Sequence, residues 1–214
     1  MDQIREMNSE GRRRFRTRLV ETDREGNLEE FLYDDGESAT VAVLAPNGGA
    51  VEPNTDTQAL MLAEQFDGVV CWGTRGYAQG SAFNRWHRPS NEFSPSEFRL
   101  LDEIVDREFE TVISFQSMAA EGVVLGGSAP EGHKHVVQAY LWEQELDVVL
   151  SDEGPYGGVH PESVVNRVAG ESGWTYQLEQ GLGVVGECPE LVVGGLATWL
   201  SDQKPVGSRR VGRQ

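Results

Sequence analysis

The sequence predicts an α/β domain on a mixed, largely parallel sheet, and three observations predict it. Short apolar runs bounded by turns alternate with segments whose apolar residues recur at helical spacing. A length of 214 residues fits one domain whose core needs no staples. The two cysteines, Cys71 and Cys188, are too few for a disulfide framework or a cysteine zinc knot, and each reads as a small buried hydrophobe.

The elements follow in order. Ser38–Ala45 (SATVAVLA) is a continuous apolar run between turns, read as a buried strand. Thr55–Phe66 has helical spacing, and Gly68–Trp72 is a short strand. Ser94-Pro95-Ser96-Glu97 reads as a capping box with proline at the first helical position, opening a helix to about Arg107. Strands at Thr111–Phe115 and Gly122–Leu125 precede a helix at Pro130–Glu145 and a strand at Asp147–Leu150. A short helix at Pro161–Val168, a strand at Trp174–Glu179 and a helix at Pro189–Ser201 close the pattern.

Charge divides the chain into three parts. The total is −17, yet residues 1–18 hold six arginines against three acids, and residues 205–214 hold three arginines and no acid. Residues 19–204 therefore carry −23. The expected organisation is a basic arm (1–18), an acidic domain (19–204) and a basic tail (205–214), with arm and tail docking on a second copy or another partner. An acidic body repels nucleic acid and anionic membrane, which ranks nucleic acid last among partners. There is no run of eighteen apolar residues and no apolar leader, so neither a membrane span nor a signal peptide is expected; virion or cytoplasm remains. Only Lys134 and Lys204 are lysines, against sixteen arginines. High acid with so little lysine resembles the composition of salt-in halophiles, haloarchaea and their viruses, where molar salt screens self-repulsion over ~3 Å.

In such sheets, chemistry gathers beyond the carboxyl ends of strands. Three predicted strand ends carry polar groups: Pro46-Asn47-Gly48-Gly49-Ala50-Val51-Glu52, Gln116-Ser117 and Gln177-Leu178-Glu179. The glycine pair permits a sharp turn that returns Glu52 towards Asn47. Trp72, Trp86 and Trp174 lie near strand ends, where pocket wall and core packing explain them equally.

These blocks resemble the phage-type poly-γ-glutamate hydrolase family. APNGGAVEPNT matches its "PHGGxIExGT" block, Trp86-His87-Arg88-Pro89-Ser90 its "LHxTS" block, and VISFQS its strand ending in "HG". Val124-Leu125-Gly126-Gly127 matches its "GG" turn, and Asn166-Arg167 with Gln177-Leu178-Glu179 its "NR…QLE" block. The resemblance spans about residues 38–200, with five blocks in the family's order. It implies a single three-layer, zinc-carboxypeptidase-like domain that hydrolyses γ-linked glutamyl amides with zinc. It also implies that Glu52 is a metal ligand, Glu179 a general base or acid, and Arg167 a partner for a substrate carboxylate, with His87 able to line the pocket.

The chain departs from the pattern at two implied ligands. Asn47 and Gln116 stand where the family has histidines, so of the three implied ligands only Glu52 matches. Amide oxygens are poor zinc ligands, and without zinc no bound water has a pKa near ~7. His133 and His135 point different ways from a predicted helix, and His160 precedes a proline, so none is an evident replacement. The expectation is no cofactor, with zinc only if the site is rebuilt, and a weak Ca²⁺ or Mg²⁺ site on the oxygens of Asn47, Glu52 and Gln116 as the alternative. In the blandest reading the two amides bond each other or Glu52. Glu179 and Arg167 can equally be a structural ion pair. The function expected is a degenerate hydrolase-like structural or binding component, assembling with itself or with virion proteins through the basic arms. An acidic polymer or glycan would occupy the old cleft. The alternative is an active metal-dependent amidohydrolase on poly-γ-glutamate or a related cell-surface polymer.

Overall fold

Side chains alternate across each strand, and that alternation sorts the buried residues onto two faces of one sheet. The computed structural model describes residues 5–8, 14–36, 38–154 and 156–203. The strands are β1 (Arg5–Asn8), β2 (Arg14–Thr22), β3 (Gly26–Asp34), β4 (Val41–Gly49), β5 (Val69–Ala78), β6 (Phe109–Met118), β7 (Val123–Gly126), β8 (Val148–Leu150) and β9 (Ala169–Gly181). They form a nine-stranded sheet in the order β1-β2-β3-β5-β4-β6-β9-β7-β8. The centre, β5-β4-β6-β9, is parallel, and so is the β7-β8 pair. The β1-β2-β3-β5 side and the β9-β7 junction are antiparallel.

The helices are α1 (Thr55–Ala63), α2 (Ala82–Trp86), α3 (Arg99–Asp102), α4 (Glu131–Trp142), α5 (Val164–Val168), α6 (Leu182–Glu187) and α7 (Pro189–Gln203). On one face Val43, Cys71, Ile113, Phe115 and Tyr176 of the strands pack against Leu62 of α1, Leu141 of α4 and Leu196 of α7. On the other, Leu44, Val70, Trp72 and Val112 pack against Trp86 of α2, Leu101 of α3 and the valines of α5. The result is the predicted three-layer α/β arrangement.

Two predicted features differ. The segment read as a basic arm ending at residue 18 runs into the sheet: β2 crosses that boundary and pairs along its length with β3. Its charges still find acids, Arg16 reaching Glu103 at 2.5 Å and Arg18 reaching the buried Glu30 at 3.4 Å. Of the arm, residues 1–4 and 9–13 lie outside the described residues, as does the tail at 205–214. The capping box fails because its glutamate is drawn elsewhere. Glu97 accepts a bidentate pair from Arg88 at 2.6 and 2.8 Å, while Ser94 Oγ lies 2.8 Å from Ser96 Oγ. Turns replace the first part of that helix, and only α3 remains.

Leu62 has no exposed surface and joins α1 to the first core. Leu62→Ala should destabilise the chain by about 2–5 kcal/mol, read as a lowered urea midpoint with an unchanged m-value.

Candidate functional site

The β4 ladder slips against β5 between Ala45 and Gly48, and the slip re-aims the strand end. Gly48 fits there because a Cβ would lie 2.5 Å from that of Asp56, and Gly49 adopts φ 73°. The turn closes as expected, with Glu52 N–H donating to Asn47 O at 2.8 Å. Asp56 braces it from α1, accepting from Gly49 N–H at 3.2 Å and from Arg75 Nε at 2.6 Å.

Asn47 does not bond Gln116, but its side chain does hydrogen-bond Glu52, the other partner expected of it. Its carboxamide closes a two-point pair with the main chain of Arg88: Nδ2 donates to Arg88 O, and Oδ1 accepts from Arg88 N–H, both at 3.0 Å. The segment after α2 is thereby clamped over the end of β4. His87, one residue earlier, places Nε2 3.4 Å from Glu52 Oε1. Its ring stacks on Phe83 at 4.3 Å between centroids.

Glu52 is 2% exposed, and its Oε2 accepts from Ser117 N–H at 2.8 Å. Burial raises its carboxyl above the ordinary range; His87, the Ser117 N–H and the Asn47 carboxamide pull part of the way back. On β9, Tyr176 and Leu178 enter the first core, so Gln177 and Glu179 project from the opposite face. Gln177 Nε2 donates to Glu179 Oε1 at 2.8 Å. The Glu179 carboxyl is pushed up to about 8, first by burial and then by the negative charge of Glu52, against the Gln177 hydrogen bond. Gln116 pairs in register with Glu179 across β6 and β9. Gln116 Nε2 and Gln177 Oε1 are both buried without a hydrogen-bond partner.

These groups form the floor of a cleft of about 1130 Å³. Glu52, His87, Gln116 and Glu179 all line it, so the structure brings four predicted site residues together. Arg167 is not among the lining residues; its Nε and Nη2 are buried without a hydrogen-bond partner on α5. The alternative reading of Glu179 and Arg167 as a structural ion pair is not met among the described residues. Neighbouring Asn166 holds the far wall, its Nδ2 donating to Gly158 O and His160 O at 2.9 and 2.8 Å. The tryptophans are not cleft walls: Trp72 and Trp86 are core, and Trp174 packs on His133. His135 lies beside Glu131 and Gln138, away from the cleft; only His160 of the other histidines lines it.

Sequence reasoning missed the far wall and the rim. Gly154 and the loop from Tyr156 to Ser163 close one side, and nearby the buried ammonium of Lys134 pairs with Asp152 and donates to Gly127 O at 3.3 Å. Phe83, Tyr156, Val159 and Leu182 ring the mouth. The Gly157-Gly158 pair was the available signal, since Gly158 adopts φ 64° and a Cβ there would lie 2.8 Å from that of Gln177.

Zinc does not fit this donor set. Asn47 is committed to main-chain groups, Gln116 offers an amide, and no cluster of three His, Cys, Asp or Glu with metal-holding geometry exists among the described residues.

The comparisons agree with the fold. A family model described as Poly-gamma-glutamate hydrolase matches residues 16–184. The chain is similar to a zinc-free apo form of YNDL, with TM-score 0.64 and 19% identity over 88% of this chain and 90% of that one. A bacteriophage poly-gamma-glutamate hydrolase superposes with TM-score 0.65 and 13% identity over 92% of each chain. An aspartoacylase family protein from Mesorhizobium loti gives 0.52 and 14% over 98% of this chain and 72% of that one. No curated protein matches the sequence significantly. At these identities the structural likeness shows the fold.

Glu179 also makes a prediction about pH. Its folded-state value, about 8, lies above the ordinary 4.5, so the stability of the protonated form is fully present below 4.5 and is lost as pH rises through about 8. Glu179→Gln removes that loss. Across this window the variant should gain on the parent by up to about 1.4 kcal/mol per pH unit, read from urea unfolding in acid and in mild alkali.

Proposed function

The chain belongs to the poly-gamma-glutamate hydrolase family, and from that premise we propose that it keeps the family's cleft as a binding site without metal-assisted hydrolysis. One observation carries the reading: the Asn47 carboxamide is spent on the Arg88 main chain, at the position where the family resemblance puts a metal-binding imidazole. The remaining ionisable groups on the floor are one imidazole and two carboxylates, and both carboxyls are shifted towards their neutral forms. Glu52 keeps a structural task, bridging His87 and the Ser117 N–H.

What the chain's own residues do in this reading is bind and orient. Glu179, protonated, offers a hydrogen-bond donor to a ligand. His87 and Glu52 hold the near wall, and the Tyr156–Ser163 loop holds the far one. Arg12, Arg13, Arg209, Arg210 and Arg213 are proposed to join the acidic body to a second copy or to other components of an assembly, such as a virion.

The test is metal content and turnover. Purified chain, loaded with excess zinc and then desalted in high salt, should retain only sub-stoichiometric zinc and release no glutamate from poly-γ-glutamate. One zinc per chain with chelator-sensitive hydrolysis would contradict the reading and support an active amidohydrolase.

A further inference from the structure

Three features of the cleft say what it takes. The first is charge. The only guanidinium in its lining, that of Arg88, is bidentate with Glu97, and Arg167 stays out of the lining. The other ionisable lining groups are Glu52, Glu179, His87 and His160, within a body carrying −23 over residues 19–204. A polyanion entering this cleft meets no unpaired guanidinium among the lining residues.

The second is the floor. Gln116 and Gln177 are 6% and 2% exposed, and each leaves one carboxamide atom buried without a partner. Such orphans destabilise the empty cleft, so a ligand that satisfies them recovers that cost on binding. A donor-only or acceptor-only ligand satisfies at most one of them. An amide carries a C=O and an N–H side by side and offers a partner to each, the C=O to Gln116 Nε2 and the N–H to Gln177 Oε1.

The third is the rim. Phe83 is 49% exposed, Val159 46%, Leu182 60% and Tyr156 38%, and all four surround this mouth. Val51 and Met118 continue the apolar wall inward. Large apolar side chains left in water around a concave, desolvated floor mark a ligand site.

We propose that the cleft binds an uncharged amide flanked by apolar groups, the amide bridging Gln116 and Gln177 and the flanks lying against Phe83, Tyr156, Val159 and Leu182. This rests on the reading of the cleft as a surviving binding site and narrows its occupant from an acidic polymer to a neutral, peptide-like one. Recognition is then by shape and amide pairing in a largely desolvated cleft, which molar salt strengthens rather than screens.

The experiment is calorimetric titration of the full chain in high salt with two probes: N-acetyl-leucyl-phenylalaninamide and a γ-glutamyl trimer. The capped dipeptide should bind at least about tenfold more tightly than the trimer. Gln116→Leu should weaken dipeptide binding by about tenfold or more, while its thermal midpoint shows that it folds. Preference for the trimer would overturn the inference, leave the binding-cleft reading standing and return Arg167 to the expected role of carboxylate partner. Binding of neither probe would overturn the inference and count against the binding-cleft reading too. Unchanged dipeptide affinity in a folded Gln116→Leu variant would remove the floor assignment.

Discussion

The clamp between Asn47 and the main chain of Arg88 is the contact on which the site depends. Two hydrogen bonds of 3.0 Å join the end of β4 to a segment forty-one residues further on. Because the clamp holds that segment, His87 meets Glu52, Phe83 reaches the cleft mouth, and Arg88 is left to pair with Glu97. A buried amide satisfied at both ends by backbone groups is a stable solution for a polar side chain in the interior. In the proposed reading the same solution withdraws that position from metal binding. One residue type therefore accounts for both the order of the near wall and the poverty of the metal donor set.

Electrostatics separates this cleft from the rest of the acidic surface. Outside, carboxylates are hydrated and screened by salt. Inside, Glu52 and Glu179 both lose water, and the charge of Glu52 raises the Glu179 carboxyl further. The floor is consequently less charged than its residue types suggest. Buried acid in this protein behaves as a hydrogen-bonding wall. Glu30 shows the same logic in the second core: fully buried, it accepts from Trp72 Nε1 at 2.9 Å and Leu101 N–H at 2.8 Å, and burial raises its carboxyl.

The parallel centre of the sheet was legible in the sequence because its strands are nearly continuous apolar runs, and so were α1, α4 and α7. The family blocks also located Glu52, His87, Gln116 and Glu179 in one place. What stayed hidden depends on distant partners. β2 alternates arginines with Phe15, Thr17 and Leu19 and reads as a polar arm until β3 supplies its ladder. β3 carries Glu30 among apolar residues, and that charge is tolerable only because Arg18, Trp72 and Leu101 converge on it. The helix expected from Ser94 was lost to Arg88, a partner the local pattern does not contain. Arg167 sits on the expected helix, yet its placement outside the cleft depends on how α5 meets the sheet. The apolar rim was invisible because exposure of Phe83, Val159 and Leu182 is set by tertiary packing.

The most direct test of the clamp is native-state hydrogen exchange at the Arg88 amide, in the parent chain and in Asn47→Ala. The clamp predicts a strongly protected Arg88 N–H in the parent and loss of that protection in the variant, with the β4 and β6 amides still slow. Equal protection in the two chains, or rapid exchange at Arg88 in the parent, would show that Asn47 does not hold the wall of this cleft.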